Sequence, residues 1–129
     1  MPHSFPEIPV IYFHSVAPGK NPSWVRNYLT FDLLYFEDFL KNIRKKGWET
    51  ISLNEYYHIK NSGKKPKSKL CCITFDDGFV DNFIYAYPLL KKYGFKGTIF
   101  VNPEYIDLKR KVAFTLEDVL ANRTSLRDI

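Results

Sequence analysis

Residues 70–75 (LCCITF) are apolar almost throughout, and so short a run without alternation suits a parallel strand buried on both faces. Such a strand needs partners on its edges and helices over it, and the rest of the chain has to supply them. Three more runs read as strands: residues 8–16 (IPVIYFHSV), 50–53 (TISL) and 97–101 (GTIFV). Between the first two, Leu33, Phe36, Leu40 and Ile43 recur at helical spacing beside Phe39. Glu37, Asp38, Lys41, Arg44 and Lys45 face away, and Gly47 is a natural stop. Asn54 can cap a short helix over residues 55–60. After the apolar strand a helical stretch runs to Tyr93, with Phe83, Ala86, Tyr87 and Leu90 on one face and Gly94 at its end. Pro88 predicts a kink there, or a helix that starts near it. Thr115 can cap a last helix carrying Leu116, Val119 and Leu120. Strand and helix alternate, so the fold class is α/β, with right-handed crossovers and a parallel sheet.

Composition narrows what such a fold can do. The chain has 129 residues, 45% of them hydrophobic, which suits one domain, and 11 Phe, 9 Tyr and 2 Trp argue against disorder. No run approaches the roughly 18 apolar residues of a membrane span. The opening MPHSFPEIPV lacks a basic region followed by an apolar stretch, so no secretory signal is visible and a cytoplasmic location is expected. Lys and Arg (19) exceed Asp and Glu (14), but no nucleic-acid motif accompanies the net charge of +5. The basic stretch 61–69 (NSGKKPKSK) reads as a solvated loop. Cys71 and Cys72 are neighbours on a strand and point to opposite faces, so they read as buried thiols rather than a disulfide. Trp24, Tyr56 and Tyr57 lie near loops where they could stack on a sugar, although core packing explains most of the aromatics.

The chemistry concentrates in Thr74-Phe75-Asp76-Asp77-Gly78. Ligand sites of parallel α/β folds form outside the carboxyl ends of the strands, where this acidic pair falls. Successive residues of a regular strand cannot share a face, so the chain must leave strand geometry there for both carboxylates to converge, and Gly78 eases such a turn. Two carboxylates so placed could divide labour, one holding a cation and one handling a proton. An ordinary Asp-Gly turn is the plainer alternative. His14, at the exit of the first strand, would face the same end of the sheet. It could orient a carboxylate or touch substrate, or be a hydrogen-bonded structural residue. His58 reads as solvent-facing and His3 as part of a loose terminus.

T-F-D-D-G after an apolar strand resembles the first motif of the polysaccharide deacetylases, the chitooligosaccharide-deacetylase homology family (carbohydrate esterase family four). Residues 79–93 (FVDNFIYAYPLLKKY) and 94–101 (GFKGTIFV) are similar to the helix and strand that come after it in many members. Residues 11–15 (IYFHS) resemble a first-strand ending, and 36–53 a first helix and second strand, of one large branch. The likeness covers about residues 8–102, and 103–129 looks like an insertion with a helical tail. It implies metal-dependent hydrolysis of an N-acetyl or O-acetyl group on a carbohydrate. Asp76 would be the general base and Asp77 a ligand of a divalent metal, usually zinc; His14 stays a substrate-contact or supporting residue. It also implies an irregular (β/α) barrel, of which one partial domain over 1–129 would be the first part. The family completes its metal site with a later H-[S/T]-x-x-H pair, and this sequence has only His3, His14 and His58, none of them four apart. The expectation is therefore a truncated domain, inactive as this chain, with unpaired strand edges that favour self-association. The alternatives are a non-catalytic carbohydrate- or protein-binding module, or a half barrel completed by another chain. A phosphorelay receiver also uses strand-end acidic residues, but its pair comes after the first strand rather than the third, and no Asp ends 97–101 here.

Overall fold

The structure, a computed structural model, describes residues 7–19 and 29–101. In chain order the elements are β1 (Val10–Phe13), β2 (Ser15–Ala17), β3 (Thr30–Asp32), α1 (Leu33–Lys45), β4 (Trp48–Thr50) and α2 (Leu53–Ser62). They continue with β5 (Lys69–Phe75), a π-helical segment (Asn82–Ala86), α3 (Tyr87–Tyr93) and β6 (Thr98–Ile99). β5 is the apolar run, and every pairing of the main sheet is made to it, all parallel. β1 lies along one edge, Val10 opposite Cys72 and Phe13 opposite Phe75. The other edge is shared: β4 takes Lys69 to Cys71 and β6 takes Thr74 and Phe75. Sharing explains why the fourth strand is Thr98–Ile99 and not the expected 97–101, since only the last residues of β5 are left to pair with.

The expected first strand, 8–16, is one run in sequence and two strands in space. The chain bends at His14, and β2 leaves β5 to pair with β3, an element with no clear sequence signal. The expected strand 50–53 ends at Thr50, because Ser52 and not Asn54 caps α2. The Ser52 hydroxyl accepts from the Glu55 amide at 3.1 Å, while the Glu55 carboxylate accepts from the Ser52 amide at 2.7 Å, a reciprocal capping box. The Ser52 backbone bond, with Lys96 behind it, pulls the Glu55 carboxyl down to about 2. α2 consequently spans Leu53–Ser62 where 55–60 was expected. α1 keeps to its pattern: Asp32 caps it by accepting from the Leu34 amide at 2.8 Å, and Phe36 and Leu40 are fully buried.

α1 and α3 cover the side of β5 that carries Ile73 and Phe75. Phe13 is the hub of that core, its ring centroid 5.1 Å from Phe36 and 5.9 Å from Phe75. The Glu37 carboxylate binds Lys92 at 2.9 Å and the Tyr93 hydroxyl at 2.7 Å, fixing one helix on the other. Of the face expected on the third helix only Ala86 and Leu90 are buried; Phe83 and Tyr87 are exposed and stack on each other. The wider π-helical turn replaces a simple kink at Pro88, which instead sits in the first turn of α3, and it brings Asn82 onto the stripe of Ala86 and Leu90. Val10, Tyr12, Ile99, Phe100 and Val101 are exposed along the sheet edges. Cys71 and Cys72 are buried free thiols, and burial pushes the Cys71 thiol up to about 11. No described helix is long and apolar enough to cross a membrane. The expected helix after Thr115, the tail 103–129, Trp24 and His3 lie outside the described residues.

Gly97 lies at the surface in the turn from α3 to β6 and backs onto core side chains. A Cβ there would sit 3.0 Å from Leu90 Cδ1 and 3.1 Å from Phe75 Cε2. Gly97→Ala should cost about 1–3 kcal/mol by overpacking, and Ser52→Ala about 1 kcal/mol by loss of the cap. Urea unfolding of both variants measures these costs; a neutral Gly97→Ala would contradict the crowding.

Candidate active site at the carboxyl end of β5

The β1–β5 ladder persists to the very end of the strand, where the Asp76 amide donates to the Phe13 carbonyl at 2.8 Å. The next residue breaks the geometry: Asp77 adopts φ 74°, the only described non-glycine residue with positive φ, and Gly78 comes next at φ 65°. An L-residue in the left-handed region costs roughly 1–2 kcal/mol, least for Asp, Asn and Gly. The chain thus leaves strand geometry at Asp77, as convergence of the two carboxylates would require and as an Asp-Gly turn also would, and Asp76 and Asp77 are both partly exposed at the top of the sheet.

His14 reaches the same place from β1. Its Nε2 lies 3.7 Å from Asp76 Oδ2, with Tyr12 packed edge-on to the imidazole at a centroid distance of 6.0 Å. Beside it a hollow of about 280 Å³ is lined by Tyr12, Phe13, His14, Leu29, Thr30 and Phe31. A larger hollow, about 600 Å³, is lined by Glu7, Ile8, Tyr56, Ile59, Lys60, Gly63, Lys64 and Pro66. It opens where β1 and β5 begin and α2 ends, at the far end of the sheet from the acidic pair, whereas ligands of parallel α/β folds bind at the carboxyl ends of the strands, where the smaller hollow lies. Tyr56 thus borders the far hollow, while Tyr57 and His58 are exposed on α2.

Behind His14 lies a cluster that no sequence pattern predicted. Asp81 is completely buried and accepts from the Ser15 hydroxyl and, at 3.2 Å, from the Val16 amide. Ser15 in turn accepts from Thr30 Oγ1 at 3.2 Å. The Asn82 side-chain amide donates to the His14 carbonyl at 2.8 Å and to Asp81 Oδ1 at 3.1 Å. Asn82 Oδ1 and the Tyr85 hydroxyl are buried without a hydrogen-bond partner among the described residues. Burial raises the Asp81 carboxyl from 3.8 to about 6, opposed by Ser15 and Val16, and burial with the Asp81 charge also raises the Tyr85 phenol. The available signal was the spacing of Asn82, Ala86 and Leu90, which puts a polar residue on the inner stripe.

Known proteins share this fold. Among solved structures, a Streptococcus pyogenes deacetylase, PplD, superposes with a TM-score of 0.68 at 24% identity, over 90% of this chain and 51% of that one. A de-N-acetylase from Aggregatibacter actinomycetemcomitans gives 0.64 at 16% identity, over 84% and 43%. The fold is thus the α/β type of the (β/α)-barrel deacetylases, matched over about half of their length. In sequence, the profile of the family described as polysaccharide deacetylase matches residues 63–122. YxkH of Bacillus subtilis, which carries the same family description, is 38% identical over 95 residues, covering 74% of this chain and 32% of the relative. The poly-β-1,6-N-acetyl-D-glucosamine N-deacetylase of Staphylococcus aureus is 34% identical over 93 residues, covering 70% and 29%. The chain belongs to the polysaccharide deacetylase family. It spans about a third of the length of these curated relatives.

That family is generally dependent on a divalent metal. No group of three His, Cys, Asp or Glu among the described residues could hold one. The described residues do not complete a site for it, as catalytic zinc usually takes three protein ligands.

Two outcomes test this local chemistry. Asp77→Asn and Asp77→Gly should leave stability nearly unchanged, while Asp77→Val should cost about 1–2 kcal/mol because a β-branched residue resists positive φ. Asp81 gives a pH signature. Its folded pKa lies above its unfolded value, so the native state holds a proton that the unfolded chain has lost between about 4 and about 6. Its contribution favours folding below that window and is lost as pH rises through it, on the order of 3 kcal/mol in all. Urea unfolding at pH 4.5 and 7.5 should show this slope in the native chain and not in Asp81→Asn.

Proposed function

We propose that this chain carries the general-base half of a carbohydrate N-deacetylase site. Asp76 takes the proton of a water molecule whose oxygen attacks the acetyl carbonyl carbon. The C–N bond then breaks, acetate departs and the sugar nitrogen is left as an amine carrying the proton. Asp77 is one ligand of a divalent metal, zinc by the chemistry usual for such hydrolases. His14 holds the Asp76 carboxylate in place from the side of the hollow. The observation that carries the reading is the left-handed turn at Asp77, which lets two consecutive carboxylates work at one strand end beside an imidazole.

The substrate class we infer is a polymer of N-acetylated amino sugar, supported by the named activity of the Staphylococcus aureus relative. The sequence contains no histidine pair four apart, so residues 1–129 alone should neither bind zinc tightly nor release acetate. A binding module that keeps the strand-end site without turnover is the second reading, favoured by the incomplete ligand set.

A chimera tests the first against the second, with this chain replacing the matching segment of the Staphylococcus aureus enzyme. It should release acetate from oligomers of N-acetylglucosamine, and Asp76→Asn should lower the rate about 10²–10⁴-fold, the usual worth of a general base. Equal rates with and without Asp76 would contradict the assignment. Calorimetric titration of the isolated chain with zinc should show only weak uptake, and tight uptake would show that the ligand set is complete.

A further inference from the structure

Buried ionisable groups are costly, and the Asp81 cluster sits in the one place where such a cost has a geometric return. Removing a carboxylate from water costs several kcal/mol unless partners repay it, and a packed apolar side chain would hold the helix as well. The partners Asp81 and Asn82 have found are not scattered. They are the hydroxyl of Ser15, the amide of Val16 and the carbonyl of His14, which are consecutive residues at the bend between β1 and β2. Thr30 of β3 holds Ser15 from the other side. The strand thus changes partner, from β5 to β3, at the residue whose imidazole meets Asp76. Asn82 belongs to the π-helical segment, and such single-turn insertions recur at functional sites because they re-aim one helical residue.

We propose that Asp81 and Asn82 are positioning residues: they grip the chain at the His14 carbonyl and at the two residues that follow it, and set the His14 imidazole against Asp76. This rests on the roles proposed for Asp76 and His14 and deepens them. Neither residue touches substrate. They act through the His14 main chain, with Asn82 fixing its carbonyl and Asp81 fixing the next two residues. The side chains facing the imidazole are Asp76 from the end of β5 and Tyr12 from its own strand, so a change at position 82 reaches the ring only through the backbone.

The test is a cycle of variants read by long-range proton–nitrogen NMR of the His14 ring at one pH. In the native chain Asp76→Asn should move the Nε2 resonance of His14. In an Asn82→Ala background the same replacement should move it far less, because the two side chains no longer meet, while α1 and α3 keep their native spectra. Asp81→Asn, which keeps an acceptor for the Val16 amide, should preserve most of the Asp76 effect, and Asp81→Leu should not. If Asn82→Ala fails to fold, Asn82→Asp replaces it, with the same shape and no amide donor. A full Asp76 effect that persists without Asn82 would overturn the positioning role alone. No Asp76 effect in the native chain would overturn the His14–Asp76 pairing itself, and the positioning role with it.

Discussion

β5 is the member on which the other described elements depend. It gives one edge to β1 and divides the other between β4 and β6, and its Ile73 and Phe75 anchor the core beneath α1 and α3. A strand held on both edges and covered by helices ends at a defined height, and the whole sheet aims the residues just beyond its end. In this chain those residues are Asp76, tied to Phe13 through its amide, and then Asp77 in a conformation that a side-chain-bearing residue seldom accepts. The strain is small beside the packing that imposes it, which is the usual relation between a scaffold and its site.

The bend at His14 is the second constraint on the site. A regular strand through residues 8–16 would put Phe13 and Ser15 on one face and send His14 to the other, all paired to β5. Instead pairing to β5 stops at Phe13 and β2 turns to β3. The imidazole is thereby left at the lip of a hollow beside Asp76, with Ser15 and Val16 buried against Asp81. Two elements distant in sequence, the β1–β2 bend and the π-helical segment, define each other's shape.

Much of this was legible in the residues themselves. The α1 stripe, the buried thiols, the parallel strand 70–75 and the acidic pair at its end could be read from periodicity and from the chemistry of each side chain. The strand bounds could not, for tertiary reasons. Ser52 outcompeted Asn54 as a cap because Glu55 stands three residues after it and closes the box. The stripe Phe83, Ala86, Tyr87 and Leu90 assumed 3.6 residues per turn, and the π-helical turn shifted it toward Asn82. Asp81 was invisible as a buried residue because nothing local marks a carboxylate whose partners, Ser15 and Val16, lie more than sixty residues away. The roles proposed for Asp76 and Asp77 come from the family likeness, whereas His14 beside Asp76 became a definite distance only in three dimensions.

The central claim is that ligand meets this chain at the carboxyl end of β5 rather than in the larger hollow at the other end of the sheet. Backbone NMR of the isolated chain titrated with short oligomers of N-acetylglucosamine decides between them. The account predicts shifts gathered at Tyr12, His14 and residues 76–79; shifts confined to Tyr56, Ile59, Lys60 and Lys64 would contradict it.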